Sequence, residues 1–172
     1  MRDLETDVLV VGAGPAGLTL AALLARAGVG ALTVAKHGGT ADSPRAHITN
    51  QRAVEVFRDL GIEARVAVRA LPQHLMGNQV FATAFAGREI CRLMTWGAGE
   101  DRRPDYASAS PCAMCNVPQH VLEPLLLDAA RGHGADIRFD HEVLAVGQDR
   151  DHAFARVRER RSGEHVLELF RP

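Results

Sequence analysis

The run Gly12-Ala13-Gly14-Pro15-Ala16-Gly17 constrains this chain more than any other feature, because it joins a short apolar segment to a helix-forming one. Residues 7–11 (Asp-Val-Leu-Val-Val) have the continuous, Val-rich character of a parallel strand buried on both faces. Pro15 suits the first turn of a helix, residues 15–27 are rich in Leu and Ala, and Gly28 suits its end. Residues 31–35 read as a second strand. Strand, helix and strand within about thirty residues form one βαβ unit with a right-handed crossover. In that setting Gly12 permits the tight turn, Gly14 lets backbone approach a pyrophosphate, and Gly17 lets the helix lie close to the strand. The helix N-terminus then offers free N–H groups and a partial positive charge to phosphates. Such a cradle does not by itself separate a flavin from a nicotinamide dinucleotide.

One expected group is missing. In dinucleotide folds an Asp or Glu about twenty residues past the glycines, at the end of the second strand, accepts hydrogen bonds from a ribose. In Leu32-Thr33-Val34-Ala35-Lys36 that position falls on Ala35, which has no acceptor. Losing a charge-assisted hydrogen bond costs about 1.5–3 kcal/mol, so weakened cofactor binding is the expectation.

Beyond the second strand, Gly38-Gly39 and Pro44 mark a loop, and Thr49 or Asn50 can cap a helix that turns Val54, Phe57 and Leu60 toward a core. Residues 78–85 and 88–93 read as a hairpin around Gly87. Residues 95–115 are rich in Gly, Pro, Ser and Arg and read as a long loop. Pro118 opens a second helix, in which Val121, Leu122, Leu125, Leu126 and Ala129 recur at helical spacing before Gly132 and Gly134. Residues 136–139 return as a strand, followed by β-like runs at 142–147, 152–160 and 164–170, the last two joined by a Ser162-Gly163 turn.

Twenty basic and twenty-one acidic side chains leave a formal charge of −1, so no overall field draws this chain to nucleic acid or an anionic membrane. The run at 156–161 is basic but alternates like the solvated face of a hairpin. Val8 to Val11 is too short to span a bilayer, and Asp3, Glu5 and Asp7 stand where a secretory signal would carry positive charge. Together with three cysteines, which cannot all pair within one chain, this predicts a reducing, cytoplasmic setting. Cys112-Ala113-Met114-Cys115 has the spacing of half a zinc site, but no second pair follows, so free thiols and no metal are expected. The eight histidines show no ligand spacing.

The strand at 7–11 with its glycines, Ser43-Pro44-Arg45-Ala46-His47 with Asn50-Gln51-Arg52, and Asn116-Val117-Pro118-Gln119 leading into Leu122-Glu123-Pro124-Leu125 carry a family resemblance. The chain resembles the single-component flavoprotein aromatic hydroxylases, above all the phenol and chlorophenol monooxygenases of the p-hydroxybenzoate hydroxylase group. The resemblance implies an α/β fold: a Rossmann-like FAD-binding βαβ (residues 6–36), an inserted helix, hairpin and loop region (40–115), and a helix, strand and antiparallel β-meander (117–170). It implies that Gly12, Ala13, Gly14, Pro15, Ala16 and Gly17 hold the FAD pyrophosphate, that Arg45 lies beside the flavin, and that Gln119 bonds the FAD phosphate or ribityl region. A guanidinium suits such a place, since it is permanently charged and donates to phosphate in a fork. By the same resemblance NAD(P)H is the reductant, O2 the oxygen source and a small phenolic ring the substrate. No residue stands out as a catalytic acid, base or nucleophile.

The family also carries a later Asp-Gly segment, a Gly-Asp segment and most of the substrate pocket, none of which occurs in these 172 residues. A truncated domain with one sheet edge unpaired is therefore expected, open to association through that edge or with a C-terminal part. Two other readings stay open on the residues. One is an inactive remnant or non-enzymatic nucleotide-binding module, favoured by Ala35. The other is a fragment of an NAD-binding dehydrogenase, against which the Arg45 and Gln119 blocks argue.

Overall fold

The computed structural model describes residues 2–150, 152–162 and 165–170, which fall into two compact units. The first unit comprises residues 1–44 and 122–172, the second residues 45–121.

The first unit begins with β1 (Arg2–Thr6) and β2 (Val8–Val11), continues through α1 (Pro15–Arg26), and returns as β3 (Ala31–Val34). Strands β2 and β3 run parallel, Val8 beside Ala31 and Val11 beside Val34, as expected of a βαβ unit. Helix α1 starts with Pro15 and buries Leu18 with Ala21 and Ala22, the two alanines small enough to let it lie close on the sheet. Gly28, at φ +73°, lets the chain turn back after the helix.

In the second unit come β4 (Ile48–Thr49), α2 (Gln51–Asp59), α3 (Glu63–Ala67), β5 (Leu71–Pro72), β6 (Asn78–Ala82), β7 (Glu89–Met94), α4 (Arg103–Ala109) and β8 (Cys115–Asn116). The Asn50 side chain caps α2 by accepting the Ala53 amide at 2.9 Å, and α2 buries Val54 and Phe57. Strands β4 and β5 both pair antiparallel with β8. The β6–β7 hairpin exposes Val80, Phe81, Ile90, Leu93 and Met94.

Helix α5 (Gln119–Gly132) carries the chain back into the first unit, followed by β9 (Asp136–Arg138), β10 (His141–Gln148), β11 (Ala153–Glu159) and β12 (His165–Phe170). Of the predicted stripe, Leu122, Leu125, Leu126 and Ala129 are buried, joined by Ala130, while Val121 is half-buried. Strand β9 adds parallel to β3, giving the order β2-β3-β9. Strands β10, β11 and β12 form the antiparallel meander, with a bulge between Val143 and Ala145. The fold class, parallel βαβ sheet plus meander, is thus as expected.

Four details differ from the sequence reading. Strand β2 is not buried on both faces: it lies at the edge of its sheet among the described residues, so Val10 is buried while Val11 is 62% exposed. Residues 95–115 are not a plain loop, because Pro104 starts the short helix α4, whose Tyr106 carbonyl accepts from the Gln51 side chain at 2.8 Å. Helix α3 was not expected; five residues give too little periodicity to read. Strand β1 escapes local patterning because it is made by parallel pairing with β12, Arg2 beside Val166 through Thr6 beside Phe170. Gly163 of the expected turn lies outside the described residues.

Candidate functional site

The glycine turn follows directly from β2. Gly12 sits at φ +108°, a conformation that side-chain-bearing residues rarely adopt, and its amide donates to the Val34 carbonyl at 2.8 Å, tying the turn to the neighbouring strand. A Cβ on Gly17 would overlap the Gly12 carbonyl oxygen, so the absence of a side chain there is what lets α1 start so close to the strand. Gly14 is the N-cap of α1, and the Leu18 amide donates to its carbonyl at 2.9 Å. No side chain caps α1, and its first turn holds no acid. The first amides of this twelve-residue helix therefore donate to no N-cap side chain and to no acid of their own first turn. This geometry fits a dinucleotide pyrophosphate: a turn that favours glycine, a close helix, and backbone donors at a positive helix end.

Ala35 lies at the end of β3. Its amide donates to the Arg138 carbonyl and its carbonyl accepts from the His141 amide, each at 2.9 Å, and its methyl is 8% exposed. The strand end is firmly held and offers no side-chain acceptor. One carboxylate nevertheless reaches the glycine turn. Glu123 of α5 is 2% exposed, accepts the Ala41 amide at 2.5 Å, and places Oε1 3.8 Å from where a Cβ on Gly14 would sit. Sequence reading did not single Glu123 out. The available signal was its place among Leu122, Leu125 and Leu126 on the apolar side of the helix, where an acid is rarely buried without a partner.

In the second unit the segment that follows Arg45 is bonded to the start of α5. The Gln119 amide donates to the Ala46 carbonyl at 2.9 Å, the Val117 amide to the His47 carbonyl at 2.7 Å, and Ile48 pairs with Asn116 where β4 meets β8. The His47 ring Nδ1 lies 3.1 Å from the Asn116 side-chain oxygen. Arg45 is exposed and Gln119 half-buried. The six cradle residues belong to the first unit and this pair to the second.

Elsewhere, Cys91 is exposed while Cys112 and Cys115 are buried, and all three are free. Burial pushes both buried thiols up from their ordinary pKa. Among the described residues no group of His, Cys, Asp and Glu is placed to hold a metal ion, and no helix is long and apolar enough to cross a membrane.

Comparison with known proteins gives this geometry its context. The 2,4-dichlorophenol 6-monooxygenase of Cupriavidus pinatubonensis is 49% identical over 161 residues, covering 94% of this chain and 27% of that protein. The phenol 2-monooxygenase of a Pseudomonas strain is 44% identical over 160 residues, covering 93% of this chain and 26% of its own length. In the crystal structure of the flavin-dependent monooxygenase PieE in complex with FAD and substrate, the match covers 99% of this chain and 30% of that one, with 46% identity and a TM-score of 0.90. The chain thus spans between a quarter and a third of the length of these relatives. The model of the FAD binding domain family matches residues 5–168, glycine turn, strand-end alanine and meander included, and the chain belongs to that family.

Proposed function

We propose that this chain is the FAD-binding portion of a flavoprotein monooxygenase that hydroxylates a small phenolic ring with NAD(P)H and O2. The observation that carries the reading is the N-terminus of α1, with no side-chain cap and no acid in its first turn, behind a turn that requires Gly12 and Gly17, in a chain 49% identical over 161 residues to a dichlorophenol monooxygenase. When bound, FAD would supply the redox chemistry, in which two electrons from NAD(P)H reduce O2 so that one oxygen atom enters the ring and the other leaves as water.

The residues of this chain bind and orient. The Gly14 backbone and the first amides of α1 take the pyrophosphate. Arg45 offers a permanent positive charge toward the flavin, and Gln119 donates and accepts through its amide at the phosphate or ribityl chain. None of these groups moves a proton in the reaction; their work is to fix the cofactor.

Ala35 favours a second reading, a nucleotide-binding module without turnover. Two measurements separate the two. Titration with FAD, followed by flavin fluorescence, is expected to saturate in both. NAD(P)H oxidation stimulated by phenol and matched by O2 uptake and a catechol product is expected only of the hydroxylase, assayed on FAD-loaded protein in which this chain is joined to the segments that build the family's substrate pocket. Flavin binding with no phenol dependence would leave the module reading standing.

A further inference from the structure

We propose that a cavity in the second unit, lined by Arg103 and Tyr106 of α4, binds a small aromatic carboxylate. The proposal goes beyond the FAD reading and uses no residue assigned to that cofactor.

The cavity has a volume of about 440 Å³, within the range of small-molecule sites. Its polar wall residues fall into two sets. Gln51, Gln73 and Ser110 are spent on the fold. The Gln51 amide donates to the Tyr106 and Cys112 carbonyls, each at 2.8 Å, and the Gln73 amide to the Trp96 carbonyl at 2.7 Å. The Ser110 hydroxyl donates to Glu55 at 2.7 Å and accepts the Cys112 amide at 3.0 Å. These bonds set the shape of the wall.

Arg103, Tyr106 and His74 form the second set. Arg103 donates through Nη2 to the Ala98 carbonyl at 3.3 Å and meets no carboxylate among the described residues, whereas its neighbour Arg102 pairs with Asp105 at 3.2 Å. The Tyr106 hydroxyl and the His74 ring have no hydrogen-bond partner among the described residues. The Tyr106 ring itself is fixed, because it lies against Gly97, where a Cβ would overlap it and where φ is +62°. A permanent cation, a phenolic hydroxyl and an imidazole thus line one cavity with their donors uncommitted to the fold, and Pro72, Ala107, Pro111 and Ala113 supply apolar surface around them. A guanidinium donates in a fork that matches a carboxylate, and the phenolic hydroxyl adds a further donor. The apolar wall suits a flat ring, which a small hydrated anion such as phosphate does not offer.

The test titrates benzoate, its uncharged analogue benzamide, and acetate into the 15N-labelled 172-residue chain, reading amide shifts and heats. Saturable benzoate shifts are expected at Tyr106, Ala107 and Ala113, with benzamide and acetate each weaker by roughly tenfold or more, the fold-change of a charge-assisted hydrogen bond. Arg103→Gln should remove the preference for benzoate over benzamide, and Arg103→Lys should keep part of it. Tyr106→Phe, which removes only the hydroxyl, should weaken benzoate severalfold, and it decides the matter should Arg103→Gln fail to fold. FAD titration should be unchanged in all three variants, so the FAD reading stands or falls separately. Equal binding of benzoate and benzamide, an undiminished preference in Arg103→Gln, or benzoate shifts confined to the glycine turn would overturn the proposal. So would the absence of saturable benzoate binding in a chain with a well-dispersed spectrum.

Discussion

The carbonyl oxygen of Gly12 fills the space that a side chain on Gly17 would need, so the first and last glycines of the turn are coupled by direct contact. Elsewhere in a helix, replacing Gly by Ala stabilises by about 1 kcal/mol. Gly17→Ala should do the opposite and destabilise by about 1–3 kcal/mol, because backbone must shift. Gly14 behaves differently: its φ of −80° is ordinary and a Cβ there meets nothing closer than Glu123. Gly14→Ala should leave urea unfolding unchanged while weakening FAD binding by about tenfold. Equal loss of stability in both variants would contradict this division of roles.

Thr33 lies in the middle of the parallel sheet at 1% exposure, and its hydroxyl has no partner. Burying an unsatisfied hydroxyl costs free energy, whereas a methyl of the same shape does not. Thr33→Val should therefore raise stability by about 1 kcal/mol in denaturant unfolding. A loss of stability would show that the hydroxyl is bonded in solution.

The three thiols should separate by reactivity. Cys91 is exposed on β7, while burial raises the Cys112 and Cys115 pKa values, the nearby Glu63 charge adding to the effect at Cys112. An aromatic disulfide reagent at neutral pH should label Cys91 quickly and the other two only on unfolding. Rapid labelling of all three would contradict the packing of residues 112–115.

Acid should loosen the second unit. Glu63 is held below the ordinary carboxylate range first by its hydrogen bonds from Arg58, and Glu55 first by the Ser110 hydroxyl and then by Arg52. A carboxyl with a depressed folded pKa binds fewer protons folded than unfolded. Its stabilisation is therefore present above the unfolded pKa and lost as pH falls through the lower, folded one. The melting temperature should drop through that acidic window, and less steeply in Glu63→Gln; the contribution is small because both partners are partly solvated. Identical pH profiles would remove Glu63 from the explanation.

What the sequence reveals follows from the range of the forces involved. Strand, glycine turn and helix α1 are legible because each follows local rules: Pro15 at the helix start, small residues on its buried face, Gly12 where φ is positive. The meander is legible from turn residues and β-branched runs. Strand β1 is not, since only its pairing with Val166 to Phe170 at the far end of the chain makes it a strand. Nor is α4, which buries no residue of its own and is held through its backbone by Gln51. At the site, the glycines announce themselves, whereas the bridge between Ala46 and Gln119 and the reach of Glu123 to Ala41 join segments far apart in sequence and exist only in the fold.

Backbone amide chemical shifts, recorded as FAD is added to the 15N-labelled chain, test the cradle most directly. Saturable shifts concentrated at Gly14, Ala16, Gly17 and Leu18, with further shifts at Arg45 and Gln119, are the predicted result. A well-dispersed spectrum in which those amides stay still, or in which FAD moves only peaks elsewhere, would contradict it.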